Sequence, residues 1–317
     1  MQSKGQWLEF KLFLGKLIIF IGLVFVSDFA LGRLFKYFYF KQSYGAQFRS
    51  SYSIMKTEAR FLVFGSSRAN HHYVPRIIEE EINMDYYNVG RDGSFIPYHY
   101  AVLCSILSRW TPNIVILDIT KNDLIKQGDD YARLSVLLPY YEDNVSIRQV
   151  VNMKSKFEKI KLLSKIYPYN SQIFSIMLGN ISSLSAKKKD EKGFVGLTDG
   201  FKGDTTKTNW IEELDERKVE LYKRFIGKCK ENGVLLYVVC SPYYLNDTIS
   251  GKSVSLAKSI AVSAGVEFID FSNDKGFVEN KKLFYDKNHL NERGAIIFTK
   301  ELSKRIEHNS KHKNGSN

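Results

Sequence analysis

Three cysteines, Cys104, Cys229 and Cys240, are too few to build a disulfide framework in a chain of 317 residues. Cys240 closes an apolar run and reads as a buried thiol. The histidines fall at no recognised metal-ligand spacing, so no metal is expected, and no cofactor is expected either. The stretch GSSRAN, residues 65–70, lacks the glycine-rich pattern of either phosphate loop, which argues against a nucleotide binder. No strip of Lys and Arg alternates with aromatics through the middle of the chain, so no nucleic-acid partner is expected either. No internal repeat is visible.

What is there begins with charge. The net charge is +12, and residues 1–60 carry nine Lys/Arg against three Asp/Glu. Half of the excess therefore sits at the amino end, which points to a membrane surface. The run Leu12 to Leu31, LFLGKLIIFIGLVFVSDFAL, is uncharged from Leu17 to Val26. At ~1.5 Å per residue, a helix of this length spans a hydrocarbon core of ~30 Å. Lys16 and Asp28 sit near its ends, and the aromatics Phe35 and Tyr37–Phe40 follow like an interfacial belt. No small-x-small cleavage site follows Val26, so we read an uncleaved single-pass anchor in the lipid bilayer over residues 1–33, with residues 12–31 inside it. Residues 34–59 read as a stalk and 308–317 as a disordered polar tail. The positive charges flanking the span are nearly balanced and lean toward a cytoplasmic domain.

Residues 60–307 carry a different rhythm. Short apolar runs at Phe61–Phe64, Tyr86–Val89, Ile114–Ile119, Val234–Cys240 and Val266–Phe271 read as buried strands. Helical patterns lie at Val74–Asn83, Pro97–Trp110, Trp210–Asn232, Ser253–Ala264 and Asn291–Glu307, the last with Asn291 as cap. Asn232-Gly233 and Ala264-Gly265 are helix stops just before strands. Strands alternating with helices predict an α/β fold with a parallel sheet and helices on both faces. The stretch 138–208 breaks the rhythm and reads as an insertion: a lid, a partner surface or solvated decoration.

In a parallel sheet, ligands gather at the carboxyl ends of the strands. Gly65, Ser66 and Ser67 follow the first strand, and Gly90, Arg91, Asp92 and Gly93 the second. Thr120, Lys121, Asn122 and Asp123 follow the third; Asp286 and His289 stand three apart beyond the fifth. A serine hydroxyl needs a base to take its proton, and the base needs an acceptor to fix its tautomer. Ser67, His289 and Asp286 would fill those roles. The N–H of Gly93 and the amide of Asn122 would receive an oxyanion. Arg68 could hold an anionic group beside Ser67 or pair with Asp92. His71 and His72 read as surface residues, and His99 as structural.

On these four blocks the chain resembles the SGNH (GDSL-like) hydrolase family. The family nucleophile maps onto Ser67, the second-block glycine onto Gly93 with Gly90 next, the third-block asparagine onto Asn122, and DxxH onto Asp286 and His289. Ser66 stands where the family usually has Asp, as in its membrane-anchored branches, and Thr120 replaces the third-block glycine. The resemblance covers residues 61–295 and excludes the anchor and the insertion. It implies a three-layer α/β/α sandwich with a five-stranded parallel sheet of order 2-1-3-4-5. It implies metal-free ester chemistry on an acylated carbohydrate or other ester. It also implies an extracytoplasmic domain, against the charge count, and possible work beside a membrane acyltransferase. The contrasting expectation is a non-catalytic envelope protein that binds polysaccharide or scaffolds its synthesis.

Overall fold

The computed structural model describes residues 4–128, 130–181, 191–198, 200–202, 213–244, 251–278 and 280–314. In chain order these form α1 (Lys4–Lys41), α2 (Gly45–Met55), β1 (Phe61–Phe64), α3 (Ser67–His72), α4 (Pro75–Ile82), β2 (Tyr86–Asn88), α5 (Ile96–Leu107) and β3 (Ile114–Asp118). Then come α6 (Val145–Val151), α7 (Glu158–Lys161), α8 (Ile173–Gly179), α9 (Glu216–Glu231), β4 (Leu235–Cys240), α10 (Lys252–Ser263), β5 (Glu267–Asp270) and α11 (Glu292–Asn314).

All five strands pair in parallel, in the order β2-β1-β3-β4-β5. Successive side chains of a strand point to opposite faces. Leu62, Phe64, Val115, Leu117, Leu236 and Val238 enter one apolar cluster, with residues of α5, α9 and α10. Phe61, Val63, Ile114, Ile116, Tyr237, Val239 and Ile269 enter a second, with residues of α4 and α11. Burial on both faces explains why FLVF and IVIL read as unbroken apolar runs rather than alternating ones. The predicted stops hold: Gly233 and Gly265 sit at φ +68° and +71°, where a side chain would be strained. The Asn291 side chain accepts from the Gly294 N–H at 2.9 Å, which caps α11.

Several boundaries differ from the sequence reading. Residues 34–59, read as a stalk, pack into the domain. The end of α1 and all of α2 pack against the first cluster, burying Tyr39 and Ile54. The described part of the insertion is largely helical, and Leu138, Tyr140, Ile147, Val150, Tyr169 and Ile176 join the same cluster. Helix α11 runs on to Asn314, past the predicted end at 307. Residues 182–190, 199 and 203–208 of the insertion, Trp210 at the predicted start of α9, and 315–317 of the tail lie outside the described residues. Among the described residues one helix, Gly5–Lys41, is long and apolar enough to cross a membrane, and none of its apolar window is buried in the protein.

Candidate active site

The cleft at the carboxyl ends of β1 and β3 starts from Gly65. Its φ of +150° turns the chain sharply out of β1. A side chain there would also approach the Ala69 and Asp118 β-carbons to 2.9 and 3.0 Å. Ser67 is consequently placed at the first position of α3, half-buried, with its hydroxyl facing the cleft. Backbone N–H groups in the first turn of a helix have no intrahelical acceptor, so the Ser67 amide is available to an incoming oxygen.

The histidine beside Ser67 comes from the other end of the chain. Residues 284–290 close into a tight loop, with Phe284 and Leu290 paired across its neck and both buried. Inside it, Asp286 Oδ1 accepts from the N–H groups of Asn288 and His289 at 2.8 and 3.0 Å. That turn brings side chains three residues apart together: both Asp286 oxygens lie 2.9 Å from His289 Nδ1. His289 Nε2 then stands 2.7 Å from Ser67 Oγ, across 222 residues of sequence. Burial raises the Asp286 carboxyl. The His289 ring and the two backbone N–H groups outweigh that effect and hold it below the ordinary carboxylate range. The carboxylate is therefore ionised and can stabilise an imidazolium.

Asn122 lines the same cleft of about 270 Å³, with Ser66, Ser67, Arg68, Tyr243, His289 and the lysines Lys121 and Lys287. Gly90 and Gly93 do not. The Gly90 N–H is held by Asn88 Oδ1 at 2.9 Å, and a side chain at Gly90 would meet the Ala69 β-carbon at 2.7 Å. Gly90 is thus a close-packing position. Gly93 lies on an exposed turn at φ +69° with open space around it. Asp123 turns back onto the Thr120 N–H, and burial lifts its carboxyl to about 6 against the hydrogen bonds from Thr120.

Beneath Ser67 lies a polar network that the sequence reading missed. Arg68 is only 2% exposed. It pairs with Asp118 at 3.6 Å, not with Asp92, and stacks on the Tyr243 ring at 3.8 Å. Its Nε donates to Ser241 Oγ at 2.9 Å. Asp118 accepts from the Tyr73 hydroxyl at 2.6 Å. A cation so engaged is a support for the floor of the cleft rather than a ligand for substrate. His72 is buried as well, correcting its expected place on the surface. Burial first, then the charge of Arg68, hold it well below the usual histidine range. Its Nε2 accepts from the Leu290 N–H at 3.0 Å, so its proton is on Nδ1, 2.9 Å from Ser241 Oγ. His72 thereby ties the helix of Ser67 to the loop that carries His289. His71, also buried, bonds through Nδ1 to the Val195 carbonyl at 2.7 Å and stands edge-on to the His289 ring. His99 is buried in the core, where burial pushes it down to about 3. The signal for Arg68 was the acid ending the apolar run IVILD, because a buried carboxylate requires a nearby cation or donors.

No protein-family model and no curated protein matches this chain. Its larger cleft, about 730 Å³, lies at the amino ends of β1 and β2, lined by Tyr52, Arg60, Asp85, Tyr87 and Trp110. The contact of Ser67 with His289 lies in the smaller cleft.

Proposed function

We propose that the chain is a membrane-anchored serine esterase or acyl-transfer enzyme that works through an acyl-enzyme. One observation carries the reading: the 2.7 Å contact of Ser67 Oγ with His289 Nε2, extended by the contact of Nδ1 with Asp286. In this mechanism Ser67 Oγ attacks an ester carbonyl carbon while its proton passes to His289 Nε2. The Ser67 N–H and the Asn122 amide receive the oxyanion. The intermediate collapses, the alcohol leaves with the proton from Nε2, and the acyl group stays on Ser67. Water or a sugar hydroxyl, deprotonated by His289, then takes the acyl group. Esterase and transferase differ only in that acceptor.

The SGNH resemblance supports the same assignment, with its three-layer sandwich, an O-acylated envelope polysaccharide as the substrate class, and a domain outside the cytoplasm beside a membrane acyltransferase. The parallel strand order β2-β1-β3-β4-β5 agrees with the order that the family implies. The test is a fluorophosphonate probe on the full-length chain in detergent. The wild-type protein is expected to label and Ser67→Ala to stay unlabelled. Wild-type protein that does not label at Ser67 ends the enzymatic reading and leaves a polysaccharide-binding scaffold.

A further inference from the structure

The insertion lies against α1 at a specific height. Ser164 Oγ and the Lys165 N–H each donate to the Asp28 carboxylate at 2.6 Å, and the Ile166 N–H reaches it at 3.4 Å. One helical turn further on, Gly32 lets the backbone of Lys165 touch the helix. A β-carbon at Gly32 would come within 2.4 Å of Lys165. The turn 164–166 is thus seated on α1 by three hydrogen bonds and a position that only glycine fits.

Asp28 lies about seven residues from the middle of the apolar run Leu12–Leu31, or about 10 Å along the helix axis. The half-thickness of a hydrocarbon core is about 15 Å. A span centred on that run therefore carries the turn 164–166 to the level of the lipid headgroups or below. Immediately before this turn comes KSKFEKIKLLS, residues 154–164. Phe157, Ile160 and Leu163 in it are 52%, 64% and 74% exposed, which is costly in water for three neighbouring large apolar side chains. The stretch 154–165 holds five lysines (154, 156, 159, 161 and 165) against one acid, and Lys165 is paired with Glu142 outside it. That acid, Glu158, is buried and held by Lys154 and Lys161. Lys156 and Lys159 are exposed, and Lys156 covers the Phe157 ring at 5.0 Å. Apolar side chains at headgroup depth, fringed by lysines, match an anionic leaflet.

We propose that residues 154–165 are a membrane-docking surface. Phe157, Ile160 and Leu163 enter the boundary between headgroups and acyl chains, and the exposed Lys156 and Lys159 meet anionic headgroups. The proposal rests on reading α1 as a span. Phe174 and Met177, two further exposed apolar residues of the insertion, are on α8. That helix contacts α1 near Phe38 and Gln42, about 15 Å further along, and is not part of this surface.

The test places an environment-sensitive fluorophore on single cysteines in the full-length chain: Phe20→Cys in α1, Ile160→Cys, Leu163→Cys, and Ile297→Cys on α11. All four positions are exposed, so folding is not at stake. Labelled chain without a substitution is the blank for Cys104. The proteins are placed in nanodiscs of phosphatidylcholine and phosphatidylglycerol, with and without brominated acyl chains. Probes at 160 and 163 are expected to shift to the blue and lose fluorescence to the bromines, while the probe at 297 does neither. If 160 and 163 behave like 297 while 20 is quenched, the docking surface is refuted although the span stands; the patch then belongs to a protein partner. If 20 is not quenched either, the span is wrong and the docking surface falls with it.

Discussion

Asp286→Asn separates geometry from charge in the proposed triad. The wild-type carboxylate has two tasks in the structure. Its Oδ1 holds the loop by accepting from the Asn288 and His289 N–H groups, and its charge faces His289 Nδ1 from 2.9 Å. Asparagine keeps an oxygen for the first task, so the loop and the fold should survive. It removes the charge that stabilises the imidazolium formed as Ser67 loses its proton. It also offers an NH₂ group that favours the tautomer with the proton on Nε2, where it faces Ser67 uselessly. Loss of the equivalent group in a serine triad costs about 10⁴ in rate. That is about 5.5 kcal/mol of transition-state stabilisation. The assay is the rate of fluorophosphonate labelling together with hydrolysis of p-nitrophenyl acetate, on full-length protein in detergent, with thermal melting as the control for folding. The sign of the pH dependence is fixed too. Because the folded carboxyl is held below its ordinary range, its stabilisation is present above that range and is lost as pH falls through the lower folded value. The variant should lack that part of the acid unfolding curve. A rate within tenfold of wild type, with the fold intact, would refute the role assigned to Asp286.

Arg68→Met leaves Asp118 buried without its cation and should cost about 3–5 kcal/mol, read as a lower denaturation midpoint. Adding Asp118→Asn should recover part of that loss, and simple additivity of the two losses would show that they do not form a pair. Gly90→Ala forces a β-carbon to 2.7 Å from that of Ala69 and 3.0 Å from the Gly65 carbonyl, and should destabilise by about 1–3 kcal/mol. An unchanged melting temperature would mean that the loop after β2 yields freely. Asp123, lifted to about 6 by burial, opposes folding while ionised. Stability should therefore gain a contribution as pH falls from 7 through 6, and Asp123→Asn should remove that slope in urea titrations at a series of pH values.

The sheet was legible because strands buried on both faces leave continuous apolar runs, and each run such as IVIL stands between clear helical patterns. The pairing of Ser67 with His289 was legible for a different reason: both follow strands of one parallel sheet, so both emerge at the same edge. What lies underneath was not. Arg68 and Tyr73 meet Asp118 and Ser241 from positions far apart in the chain, and no spacing rule connects them. His71 and His72 follow a serine on a short polar stretch, and nothing local shows that α11 and the 284–290 loop cover them. The insertion was equally opaque. Its apolar residues divide between the core and the outside, as Tyr169 and Leu163 do, without a period that a reader could follow.

Helix α1 is unbroken from Lys4 to Lys41, and its far end is sunk in the domain core at Tyr39. With the proposed span, nothing slack separates bilayer from cleft, unlike an enzyme on a flexible leash. The proposed enzyme would then sweep a plane at one elevation. For an acyl donor held in the same membrane, effective concentration is then set by whether its ester reaches that elevation, high if it does and close to nil if it does not.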